Sequence, residues 1–300
     1  MSVAVLANRS LLRWQVEALE RLVESLDVEL PLVVVNTTDD LSHPGYSRGA
    51  SSLEAEAVGS GVGVADLELF YHVARRERWW VAVLAERKLA WLLGLDEPGP
   101  MARQPLKAVD VLAGADRVDC TPVPVDGAWC DLPEDVVARV AEEADVAVAF
   151  GFNLLKGEIL SAPAHGVVSF HPGDIREYRG LSPARMFLNG DRRVGATLQQ
   201  LTEELDGGNV LAIGSTDTDG VSTLDELQRR LVCLQRDMLT TGIERLLDPA
   251  FEPEPPDTLA EYVSLDTRRT PAFAGRVLGK NLAGRFRALL EDRSATRRER

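Results

Sequence analysis

The feature that most constrains the fold is an alternation at the start of the chain. Val3 to Ala7 is a continuous apolar run of strand length. Leu11, Leu12, Val16, Leu19, Leu22 and Val23 then recur at helical spacing, and Leu32-Val33-Val34-Val35 is a second, β-branched run. An unbroken apolar strand has both faces covered, which is how strands of a parallel sheet read when helices pack on it. A β-α-β opening predicts right-handed crossovers and a ligand site beyond the carboxyl ends of the strands. The theme returns downstream in a strand over Val118 to Val125, a capping-box-like helix start at Asp131-Leu132-Pro133-Glu134 running to about Glu143, and an apolar strand from Asp145 to Phe150. The expected fold is α/β: a Rossmann-like, mostly parallel sheet with helices on both faces, plus a C-terminal helical extension.

The first turn, Asn8-Arg9-Ser10, has no Gly-x-Gly-x-x-Gly, so a dinucleotide fingerprint is absent where this fold would carry it. Gly59-Ser60-Gly61-Val62-Gly63 reads as a flexible loop rather than a phosphate cradle, and the small, polar residues from Thr37 to Gly63 as a long surface loop holding an exposed His43. Asp66 to Arg78 suggests a helix, Trp80 to Leu84 a strand and Glu86 to Leu95 a further helix, with Trp79, Trp80 and Trp91 as core residues.

After the middle of the chain the pattern becomes mixed. Glu158 to Ser161 reads as a helical turn, Val167 to Phe170 as a strand, Pro183 to Asn189 as a helix and Val194 to Leu201 as an edge-type strand. Leu205-Asp206-Gly207-Gly208 is a turn with Val210 to Ile213 as its hairpin partner, and Thr223 to Leu247 is a long amphipathic helix. Pro249, Pro253, Pro255 and Pro256 then break the chain into an extended linker, followed by a helix from about Gly275 with a basic, solvated end that includes Arg285, Arg287 and Arg293. Residues 1–248 are thus expected to form one catalytic domain, and 249–300 a linker and helical tail.

Charge and cysteine content narrow the function. The 47 acidic against 33 basic residues give a formal charge of -14, which opposes a general nucleic-acid or anionic-membrane surface. Cys120, Cys130 and Cys233 are odd in number and lack metal-ligand spacing, so they read as reduced, buried small hydrophobes of an intracellular protein. No signal peptide and no long apolar span is visible, which makes a cytoplasmic location the expectation and a membrane role unexpected. No Gly-x-Ser-x-Gly, His-Glu-x-x-His or Walker loop is present, so serine hydrolase, zincin and P-loop chemistries find no support, and no metal is expected.

One constellation remains. The run Ser169-Phe170-His171-Pro172-Gly173 delivers a histidine to a strand end, and Asp206 returns in a turn about 35 residues later. A histidine faced by a carboxylate suits proton transfer or stabilisation of developing charge near neutral pH. His-Pro-Gly and Asp-Gly-Gly are also good turns in their own right, and spacing alone leaves both readings open.

The ordered set Gly151-Phe152-Asn153-Leu154-Leu155, Val168-Ser169-Phe170-His171-Pro172-Gly173, Tyr178-Arg179-Gly180, Gly195-Ala196-Thr197 and Leu205-Asp206-Gly207-Gly208 resembles the folate-dependent formyltransferases. That family includes glycinamide ribonucleotide formyltransferase and the catalytic domain of methionyl-tRNA formyltransferase. The resemblance covers roughly Asp145 to Ile213. It implies transfer of a formyl group from 10-formyltetrahydrofolate to an amine, with His171, Asp206 and Ser169 as catalytic residues. It also implies a donor site at Gly151, Phe152, Asn153, Leu154, Leu155 and Gly207. The family's oxyanion-donating Asn is replaced by Ser169, a shorter donor. Loss of one such donor costs on the order of 10² to 10³ in rate. Asn153 is a candidate to supply the missing amide. The implied acceptor is an amine of a small metabolite, with formyltetrahydrofolate hydrolysis and non-catalytic folate or metabolite binding as alternatives. A tRNA acceptor is not expected, because the acidic surface opposes it and the residues after Pro249 are too few for a further barrel domain.

Overall fold

The computed structural model describes residues 1–38, 71, 73–96 and 99–298, with side chains as far as residue 290. The expectations for Gly59-Ser60-Gly61-Val62-Gly63, for His43 and for residues 66–70 and 72 of the Asp66 to Arg78 helix lie outside the described residues, while 71 and 73–77 are helical as expected.

Seven strands form the central sheet: β1 (Val3–Asn8), β2 (Leu32–Asn36), β3 (Asp116–Cys120), β4 (Val146–Ala149), β5 (Val167–His171), β6 (Arg193–Gln200) and β7 (Asn209–Asp217). Their order is β7-β6-β5-β4-β1-β2-β3. The strands from β5 to β3 run parallel, and β6 and β7 are antiparallel additions. The described helices are α1 (Arg13–Ser25), α2 (Val81–Leu92), α3 (Glu134–Glu143), α4 (Pro183–Asn189), α5 (Leu224–Leu247) and α6 (Pro271–Arg298).

Alternation along β1 divides the core. Val3, Val5 and Ala7 join Val16, Leu19 and Leu22 of α1 and Leu239 and Ile243 of α5 on one face. Ala4 and Leu6 join Val136, Val137 and Val140 of α3 on the other. Each such aliphatic side chain contributes about 1.5–3 kcal/mol when fully buried. Both layers therefore follow from the two-sided burial that the apolar strand runs demanded. Helix α5 opens with a capping box, in which Thr223 Oγ1 accepts from the Glu226 amide and the Glu226 carboxylate accepts from the Thr223 amide.

Several expectations change. Trp80 to Leu84 is not a strand: Arg78–Trp80 is a 3₁₀ turn leading into α2, and Val83 and Leu84 of α2 share a core cluster with Trp80. Trp80 is core, whereas Trp79 is 61% exposed. The expected Val118 to Val125 strand divides into β3 and a hairpin strand, Val123–Asp126. Asp131 does not cap α3. Its carboxylate accepts from the backbone amides of Leu132, Glu158 and Ile159, so it ties the 3₁₀ turn at Glu158–Ser161 instead. The strand expected at the sheet edge is β6, an inner strand between β5 and β7. Its Ala196 and Leu198 are fully buried among core residues that include Leu239 and Ile243 of α5, and Thr197 is fully buried under the turn after β5.

The residues after α5 run back across the body. Glu254 O accepts from Val210 N, Ala260 N donates to Ile175 O, and Tyr262–Val263 pairs in parallel with Arg179–Gly180. Helix α6 then docks through Ala274 and Val277. Asn281, fully buried, accepts from the Leu224 amide at the start of α5 and donates to Glu86 of α2. Arg285 belongs to this joint, paired with Glu86 and with Asp96, so it is not part of a solvated basic end. A guanidinium beside these carboxylates and, at 3.6 Å, Asp225 in a mostly dry seam keeps its charge compensated, which burial of a lone cation would not allow.

Candidate active site

Strand β5 ends at His171, and Pro172-Gly173 turns the chain away from the sheet. Thr197 of the neighbouring β6 fastens that turn from beneath: its hydroxyl donates to Gly173 O at 2.8 Å and accepts from Ile175 N at 3.2 Å. The His171 ring is 4% exposed. Its Nδ1 lies 3.2 Å from Asp206 Oδ1. Its Nε2 faces Tyr178 O at 3.0 Å and Ser182 Oγ at 2.8 Å.

Asp206 reaches the histidine from the loop between β6 and β7. Its backbone is left-handed, with φ +48°, a conformation that Asp tolerates better than most residues. Its second oxygen accepts from Gly180 N at 2.9 Å. Arg179 steadies the same loop by donating to Leu205 O at 2.6 Å and to Glu204. Burial raises the Asp206 carboxyl, but the hydrogen bond and charge of His171, the Gly180 amide and the Arg179 charge outweigh it. The group is held below the usual aspartate range.

Ser169 lies two residues before His171 on the same strand, and its hydroxyl donates to Ala149 O of β4 at 3.0 Å. It borders a cavity of about 390 Å³ at the carboxyl ends of β1, β4 and β5. Asn8, Gly151, Asn153, Phe150 and Phe170 line the sheet side of this cavity, and Trp14 of α1 with Gln228, Leu231 and Gln235 of α5 lines the other. The Trp14 ring meets Phe150 and Phe170 edge-on at 5.8 and 5.4 Å, while the two Phe rings stack 6.1 Å apart. This is an apolar floor with amide groups around it, the usual make-up of a small-molecule pocket.

The expected donor residues divide between pocket and core. Gly151 and Asn153 line the cavity, whereas Phe152 and Leu155 are buried among the α3-side core residues. Leu154 pairs with Trp129 in a small side sheet. Gly207 N closes a turn onto Glu204 O beside Asp206. Phe152 and Asn153 both have positive φ, +73° and +56°. For a bulky Phe that conformation costs about 1–3 kcal/mol, strain that tends to accumulate at functional turns. His171 and Asp206 sit beside the cavity without lining it.

The sequence reading missed Trp14, Phe150, Phe170, Gln235 and Ser182. The two phenylalanines carried a signal, since each sits at the carboxyl end of a central strand, where the site of such a sheet lies. Trp14, Gln235 and Ser182 gave none, because only the packing of α1, α5 and α4 brings them there.

No cluster of His, Cys, Asp or Glu suited to a metal ion occurs among the described residues. Burial pushes the Cys120 thiol up to about 12 and raises Cys130 as well, so neither is a reactive thiolate. No described helix is long and apolar enough to cross a membrane.

Residues 132–243 match the family model for formyl transferase, a span that holds β4 to β7, His171, Ser169 and Asp206. This stretch is similar to the formyl transferase family. Among curated relatives, methionyl-tRNA formyltransferase of Thermotoga neapolitana is 33% identical over 138 residues, covering 42% of this chain and 44% of the relative. The enzyme of that name from Halorhodospira halophila is 32% identical over 155 residues, covering 51% of this chain and 50% of the relative. The chain spans half or less of the length of these relatives. Two solved structures share the formyl transferase fold. Glycinamide ribonucleotide transformylase 1 from Symbiobacterium toebii has a TM-score of 0.50 at 14% identity and covers 88% of this chain and 94% of its own. A sugar 3N-formyl transferase has a TM-score of 0.50 at 11% identity and covers 89% and 71%. At these identities the likeness is one of fold.

Proposed function

We propose that the chain transfers a formyl group from 10-formyltetrahydrofolate to an amine of a small molecule, with His171 and Asp206 as the catalytic pair. The observation that carries this reading is the His171 Nδ1 to Asp206 Oδ1 contact of 3.2 Å inside the stretch that matches the formyl transferase family. Supporting it, the sugar 3N-formyl transferase of similar fold was crystallised in the presence of a formyl-tetrahydrofolate and a nucleotide. The cavity beside the pair has the chemistry for a flat, hydrogen-bonding ring: an aromatic floor and the amides of Asn8, Asn153 and Gln235. Gly151 and Asn153 are the residues proposed to hold the donor there.

In the reaction the amine nitrogen bonds to the formyl carbon, the bond from that carbon to the folate N10 breaks, and one proton passes from the amine to N10. His171, oriented by Asp206, stabilises the negative charge that develops on the formyl oxygen and carries the proton. Such a positioned acid-base group contributes about 10² to 10⁴ in rate. Ser169 is the proposed remnant of the family's oxyanion donor.

The test follows tetrahydrofolate release from 10-formyltetrahydrofolate with and without a panel of amines. Release only with an amine supports the proposal, release without one makes the protein a hydrolase, and no release or folate binding overturns it. Methionyl-tRNA belongs in the panel, because the curated relatives carry that name. Its formylation in preference to every small amine would replace the acceptor half of the proposal.

A further inference from the structure

Ser182 occupies the N-cap position of α4, where a serine hydroxyl ordinarily accepts from a free helix amide. Here it makes no capping bond. The hydroxyl is fully buried, donates to Gly180 O at 3.2 Å and lies 2.8 Å from His171 Nε2. A helix start that forgoes its cap has its hydroxyl held elsewhere.

The donors and acceptors around His171 explain where. Tyr178 O, 3.0 Å from Nε2, can only accept, so it favours a hydrogen on that nitrogen. The Asp206 carboxylate at Nδ1 favours a hydrogen there too. When both are present, Ser182 accepts from Nε2 and points its own hydrogen at Gly180 O. When the ring gives up one hydrogen, the carboxylate keeps the one on Nδ1, and Nε2 becomes a buried lone pair facing a carbonyl. That arrangement is unfavourable unless a donor arrives. A hydroxyl is both donor and acceptor and rotates to suit, so Ser182 can swing its hydrogen from Gly180 O to Nε2.

We infer that Ser182 is a positioning residue whose hydroxyl reverses between acceptor and donor, keeping His171 Nε2 partnered in both protonation states of the ring. The inference rests on the proposed role of His171 as a proton carrier and adds the device that lets a buried ring carry the proton. Among the described residues the other groups facing the pair are the Arg179 charge and the Tyr262 phenol, both on the Asp206 side, so among them Ser182 alone serves Nε2 with a movable hydrogen.

The experiment is a pH titration of the histidine rings by NMR in the full chain labelled with ¹⁵N-histidine. There are four histidines, and His171→Gln assigns the signal. In Ser182→Ala the charged ring keeps Tyr178 O, whereas the neutral ring loses the donor that Ser182 supplied. Leaving a buried acceptor unpartnered costs about 1–3 kcal/mol, so the His171 curve should move to higher pH by about one unit. Ser182→Thr, which retains the hydroxyl, should return the curve toward wild type. Ser182→Cys, a weak donor, should fall between and serves if the Thr methyl does not fit. An unchanged curve in folded Ser182→Ala overturns the inference, as does an equal shift in all folded variants. The titration needs no substrate, so a chain that transfers no formyl group would refute the proposed function and leave this result to be judged separately.

Discussion

The Ser169 hydroxyl donates to Ala149 O at 3.0 Å, so it closes onto the neighbouring strand instead of offering its hydrogen to the cavity. Ser169→Ala should therefore lower turnover by less than about tenfold, well short of the loss that follows removal of a working oxyanion donor. Ser169→Asn, with a longer amide beside the same cavity, should preserve or raise turnover. Steady-state kcat for the two variants checks this, and a large loss in Ser169→Asn would assign the serine a chemistry of its own.

The pair behind it should be far less tolerant. His171→Ala and Asp206→Ala are each expected to reduce kcat by about 10² to 10⁴, with donor binding largely retained because neither residue lines the cavity. Single-turnover rates together with folate binding by equilibrium titration separate the two effects.

Gly180 has φ +72°, and a Cβ placed there would overlap the Val263 carbonyl oxygen. Gly180→Ala should thus unseat the Tyr262–Val263 strand and expose the Leu181 amide, which donates to Val263 O at 2.9 Å. A destabilisation of about 1–3 kcal/mol is expected. Faster hydrogen exchange at Leu181, with β1 and β4 unchanged, would verify it.

A parallel experiment addresses the other end of the returning segment. A Cβ on Gly284 would overlap Ser222 O, a backbone atom that cannot rotate away. Gly284→Ala should lift α6 from the start of α5, where Asn281 meets the Leu224 amide. Limited proteolysis should then cut before α6 faster in the variant than in wild type, and equal cutting would refute the packing described for this helix.

Acid should weaken the fold through three aspartates. Asp206 is held below its ordinary range as described. Burial raises the Asp174 carboxyl, but the hydrogen bonds and charge of Arg176 lower it further, and the Ser2 amide chiefly lowers Asp145. A group whose carboxyl is depressed in the folded state stabilises fully above its unfolded value, about 3.9 for aspartate, and loses that contribution as pH falls through the folded value. Urea unfolding at stepped pH should therefore show stability falling from about pH 4 downward, and Asp206→Asn should flatten part of that slope.

Much of the architecture was legible in one dimension. The strands β1, β2 and β4 are apolar over nearly their whole length, and only a sheet covered on both faces buries such runs. The helix at Pro183–Asn189 and the β6–β7 hairpin were bounded by a proline start and an Asp-Gly-Gly turn, local signals that do not depend on neighbours. The errors fell where context overrides local preference. Trp80 to Leu84 is rich in residues that suit strands, yet burial of Trp80, Val83 and Leu84 against α6 and α4 residues made it helical.

The chain by itself determined the layered sheet and the position of His171 at a strand end, because periodicity and turn chemistry are written residue by residue, while spacing alone left open whether Asp206 answers it. What only the tertiary structure decided is which partners those groups have. The 3.2 Å approach of Asp206, the turning of Ser169 toward Ala149, the hydroxyl of Ser182 at Nε2 and the seating of Arg285 between Glu86 and Asp96 each join segments through packing. A hydrogen bond depends on distances of a few tenths of an ångström, and no spacing in the sequence specifies those until the core has closed around them.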